Sequence, residues 1–152
     1  MDDLRARAAT LGRSLALLAT YALVIGAASV VMNAGGVVDG EAQAMVRAVL
    51  GLWGVAAGAM LWTGQRFGID GWRAVMIWAV IQIPFYAWNT DGSPFVQVLE
   101  FPASFTSQTT VNGEVTSYSE IGINLVGVAL AVWANATRER WSLRGPRAAV
   151  AA

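Results

Sequence analysis

Four apolar runs, 14–32, 45–63, 72–88 and 121–137, contain two charged residues between them, Arg47 and Arg73. A helix rising ~1.5 Å per residue needs about 20 such residues to cross a hydrocarbon core of ~30 Å. The runs neither alternate nor form short amphipathic stripes, so a water-soluble core is a poor account of them. Composition agrees, with 56% hydrophobic and 13% charged residues against about a quarter charged in soluble domains. The expectation is an all-α integral membrane protein: a four-transmembrane-helix bundle forming a single domain over 1–152, with tails at 1–13 and 138–152. The first run follows Arg5, Arg7 and Arg13, a basic start that a signal peptide shares. It exceeds the ~7–15 residues of such an apolar region, and Asp2 and Asp3 are atypical of one, so it reads as a retained span.

The connection over 89–119 differs in kind from the two short turns before it. It is rich in Ser and Thr and holds no basic residue. Ser93-Pro94 supplies a capping hydroxyl followed by Pro at a first helical position, and Pro102 supplies a stop. Phe95, Val98 and Leu99 then share the face of a short surface helix. Asn112-Gly113 stands between Thr- and Val-rich segments, 104–111 and 114–118, which predicts a β-hairpin. The structured outer loop is therefore a short surface helix plus a hairpin, between the third and fourth helices.

Arginine sets the orientation. Nine of the ten arginines lie in the two tails and the 64–73 region, with Arg47 alone on the other side. Basic residues accumulate on the cytoplasmic face, so both termini are expected there, in a bacterial inner (cell) membrane. Trp62, Trp72 and Trp141 then fall at the inner interface, and Trp88 and Tyr118 at the outer one.

Missing residue types bound the chemistry. The chain has no Cys, His or Lys, which removes haem, iron–sulfur and the usual zinc ligation along with thiolate and Schiff-base catalysis. No Asp or Glu lies inside a run, whereas ion and proton pathways place ionisable groups at that depth. No cofactor, no metal, no catalytic residue and no nucleic-acid partner are expected; a bound lipid or quinone remains open. Small residues four apart, Ala22/Gly26, Gly54/Gly58 and Gly127/Ala131, suit close helix packing.

Two functional readings follow. In the first, the protein is a non-catalytic subunit or accessory protein of a larger membrane complex, contacting other subunits or itself through the outer loop, with Phe101, Phe105 and Tyr118 as aromatic anchors. In the alternative it binds or transports a lipophilic molecule (quinone, lipid or pigment). Trp78, Gln82 and Tyr86 would form a stripe at i, i+4 and i+8 on a third helix kinked at Pro84, with Asn124 at a similar depth on the fourth.

Overall fold

The computed structural model describes residues 11–64, 66–88, 101–139 and 141. Helix α1 spans Arg13–Val38 and α2 spans Ala42–Thr63. Both are long and apolar enough to cross a membrane. A tight turn joins them, closed by Asp39 N–H donating to Gly35 O and Glu41 N–H to Gly36 O. The helices meet backbone to backbone: a Cβ on Gly26 would lie 2.5 Å from Gly51 O, and one on Gly58 2.7 Å from Ala19 O. The small-residue spacing thus serves packing inside the bundle.

Helix α2 ends at Gly64, whose φ of 70° gives a left-handed cap that an L side chain would strain. Two-residue strands β1 (Arg66–Phe67) and β2 (Ile69–Asp70) pair across the turn. Asp70 then caps α3 (Gly71–Ile81), its Oδ1 accepting from Arg73 N–H at 2.9 Å. After α3 come β3 (Pro84–Trp88), β4 (Pro102–Val111), β5 (Glu114–Asn124) and α4 (Leu125–Ala136). The three strands form one antiparallel sheet in the order β3-β5-β4.

The third and fourth apolar runs are therefore not continuous helices. Pro84 has no N–H and disfavours helical backbone at Ile83, so α3 closes with Gln82 N–H on Ala79 O and Ile83 N–H on Val80 O. In place of a kink, Pro84 opens β3, which pairs in register with 119–123 of β5. The hairpin stands where expected and is longer, with Asn112 and Gly113 at φ 54° and 85°, the positive values that a two-residue turn demands. Pro102 begins β4. The surface helix expected from Ser93 onward falls on 89–100, outside the described residues.

Tryptophan N–H groups stitch the helices together. Trp53 of α2 donates to Ala74 O of α3, Trp78 of α3 to Leu50 O of α2, Trp72 of α3 to Ala134 O of α4, and Trp133 of α4 to Ser14 Oγ of α1. The Trp72 and Trp133 bonds, with Gly71 packed against Leu61, place Ser14, Leu61, Gly71 and Ala134 at one end, here the lower end. Trp141 is buried in the core, and Trp62 and Trp72 are partly buried against it. By contrast Leu17, Val24, Val31, Met32, Val49, Leu52 and Val132 are exposed. The outward faces of the helices are as apolar as the core.

Candidate functional site

The centre of the bundle is aromatic. Tyr21 of α1 meets Trp78 and Trp133 edge-on, each at 6.4 Å between ring centroids, a separation typical of favourable aromatic pairs. Trp78 is wholly buried, and its indole packs where a Cβ on Gly54 would otherwise sit.

The expected third-helix stripe does not exist as one helical face, because Tyr86 lies on β3, opposite Ile121. Trp78 and Gln82 are buried, and their N–H groups bond internally: Trp78 Nε1 donates to Leu50 O and Gln82 Nε2 to Trp78 O, each at 3.0 Å. Asn124, also fully buried, works as a joint. Its Oδ1 accepts from Val126 N–H, capping α4, and from Phe101 N–H, while its own N–H donates to Ile83 O. The carboxamide thus ties the base of β4 to the start of α4, and the backbone N–H of the same residue holds the segment that follows α3.

The loop aromatics are also dispersed. Phe101 lies just below β4 and is exposed; Phe105 pairs with Ile121, while Tyr118 pairs with Gln108 and so lies on the opposite face of the sheet. Tyr118 donates to Glu120 Oε2, and Ser104 Oγ donates to Oε1. These two hydroxyls favour the ionised carboxylate and hold Glu120 below the usual carboxylate range; the same bond to Glu120 raises Tyr118. Among the described residues no three acidic side chains converge to hold a metal ion, and the chain has no Cys or His.

A cleft of about 340 Å³ opens beside α4, lined by Tyr21, Phe101, Leu125, Val126, Leu130 and Trp133, together with Ala129. Its walls are almost wholly apolar, and the Tyr21 phenol is the notable polar group among them. The chain matches no family model, no curated protein and no solved structure. Tyr21 and Trp133 are absent from the sequence-derived candidates because each sits in an uncharged, largely apolar run where an aromatic residue reads as ordinary helix packing. A tyrosine in the middle of the first run is the one sequence signal that could have found the cleft.

Proposed function

We propose that this chain is a non-catalytic, four-pass protein of a bacterial inner membrane, both termini cytoplasmic, that serves as a subunit or accessory protein and engages another membrane protein through its outer sheet. One observation carries the reading: residues 102–119 of the long connection form a β-hairpin within a three-stranded sheet that runs directly into α4, with β5 entering the helix at Leu125 without a loop. Among the described residues, β4 has no strand on its outer side, and β5 has none beyond its Ser119–Trp88 pair on the β3 side. Unpaired edges of this length invite strand addition, and Ser, Thr and Gln along 104–111 keep such an edge soluble until it is paired. The partner contact then belongs to the distal hairpin edges rather than to Phe101, Phe105 and Tyr118 as one patch.

Photo-crosslinking residues placed in cells at Gln108 and Thr110 are expected to capture one protein species, and the same group at Val24 is expected to capture none. Capture at Val24 alone would move the contact to the helices and reject the reading. A reporter active only in the cytoplasm should fail when inserted at Asn112, and activity there would invert the orientation.

The cleft favours a second reading, in which the protein holds a lipophilic molecule against Tyr21 and Trp133. Its volume falls at the low end of small-molecule sites, ~300–1,000 Å³, and such sites are mostly apolar with few polar groups. Native mass spectrometry should then show a bound small molecule that Trp133→Ala releases. Purified protein carrying only bulk lipid would reject it.

A further inference from the structure

The sheet is inside out. Along β5, Glu120, Gly122 and Asn124 are sheltered, whereas Ile121 and Ile123 between them are 63% and 45% exposed. On β4, Ser104 is part-buried and Phe105 is 85% exposed. Register puts Phe105 beside Ile121, and Ala103 beside Ile123, in adjacent rows of one face. The other face holds Ser104, Glu120 and Asn124, with Ser104 and Tyr118 donating to Glu120. An antiparallel sheet in water shows polar residues to solvent and apolar ones to the core. Polar-in and apolar-out is the alternation of strands whose outer solvent is lipid.

Length gives an independent measure. Helix α3 has 11 residues and α4 has 12, about 17–18 Å each, whereas α1 and α2 have 26 and 22 and span the ~30 Å core unaided. The short helices start from the same lower end and fall ~12 Å short, which is about four residues of strand. Four residues above α4 are Ile121 to Asn124, paired with Pro102 to Phe105. Among the described side chains, those segments contain the three large exposed apolar ones at the sheet's base, Phe105, Ile121 and Ile123. The next row on that face is Ser107 with Ser119, and the one above is Thr109 with Ser117. The face turns from apolar to hydroxyl-bearing at the height where the hydrocarbon ends.

Resting on the four-pass reading, we infer that Ala103, Phe105, Ile121 and Ile123 form a lipid-contacting face, seated in the outer leaflet, which completes the crossing that α3 and α4 leave unfinished. Edge N–H and C=O groups at this level need water or a strand. A short apolar segment thins the surrounding bilayer, which brings headgroup water to the edges while the apolar side chains stay in the acyl chains.

Because the chain lacks Cys, single spin labels report cleanly. Phe105→Cys, Ile121→Cys, Thr109→Cys and Val24→Cys, each in the full chain in vesicles of phosphatidylcholine and phosphatidylglycerol, are compared for collision with oxygen and with a water-soluble nickel chelate. All four positions are exposed, so the labels leave the core untouched. Expected is oxygen preference at positions 105 and 121, matching 24, and a reversed ratio at 109. Chelate preference at 105 and 121 with oxygen preference retained at 24 would overturn the lipid face and leave the four-pass reading standing. Chelate preference at 24 as well would overturn both. Protection of 105 and 121 from both reagents would mean that a second copy or another protein covers the face, and would also overturn the inference.

Discussion

The helical hairpin α1–α2 and the α3–sheet–α4 half come from apolar runs of similar length, yet only the first half is helical throughout. In α1–α2, Gly26, Gly51 and Gly58 let two backbones touch, and the association depends on close packing along the upper and lower halves alike. In the other half the helices stop midway, each at a polar device: Gln82 and Pro84 close α3, and Asn124 opens α4. Strand pairing between β3 and β5 then satisfies the backbone groups that the missing turns would have bonded, as burial away from water requires. An apolar run therefore specifies a solvent. It does not by itself specify a helix.

The most severe way to break this comparison is at the contact joining the two halves. Trp78→Ala removes a wholly buried indole and its bond to Leu50 O, and should cost ~3 kcal/mol, the low end for a buried aromatic, since on the proposed four-pass reading the unfolded chain stays in lipid. Denaturation in mixed micelles measures it, and a loss under ~1 kcal/mol would show that the halves are held elsewhere. Gly26→Val tests the helical hairpin, since its Cβ would strike Gly51 O and Val55 N; overpacking of this kind costs ~1–3 kcal/mol. Gly35→Ala, with nothing within 4 Å of the added atom, is the control and should be neutral in the same assay.

Smaller effects sharpen the contrast in the sheet. Gly113→Val puts a β-branched residue at φ 85°, with a local cost of ~1–2 kcal/mol. Amide exchange should quicken across 104–118 and remain unchanged in α1 and α2. Equal exchange across 104–118 would mean that the turn does not hold the hairpin. The smallest effect is that of pH. Glu120 has a lowered folded pKa, so its contribution is present above the ordinary carboxylate value and is lost as pH falls through the folded one. Tyr118 is raised above 10.0, so its contribution is present below 10.0 and is lost as pH rises through the higher value. Exchange in the hairpin should therefore be fastest at both extremes after correction for intrinsic rates, and Glu120→Gln should abolish the acid limb. An acid limb that survives the substitution would assign the effect to another group.

Much of this was legible in the residues. Apolar runs read the first two helices and the solvent they suit, with α1 extending to Val38 and α2 beginning at Ala42, a few residues beyond the expected limits. Asn112-Gly113 read the hairpin because its turn demands positive φ from both residues, a local requirement. Missing Cys and His bounded the chemistry before any coordinates. Pro84 marked a disturbance in the third run, but whether it bends a helix or ends one depends on what lies beside it.

That dependence is the limit of what local chemistry decides. Residues 84–88 and 121–124 satisfy helical and extended backbone alike in sequence; β3 forms because β5 lies at its side to accept and donate, some thirty residues along the chain. Asn124 reads as a membrane-helix polar group and becomes a cap, because Phe101, Val126 and Ile83 converge on it only after the sheet has closed. The cleft between Tyr21 and Trp133 likewise exists only once α1 and α4 are neighbours. The sequence by itself determined the two long helices, the turn and the absent ligand types, since each rests on the properties of consecutive residues. Only the tertiary structure decided where helix gives way to strand, because a backbone hydrogen bond between distant segments has no trace in either segment alone.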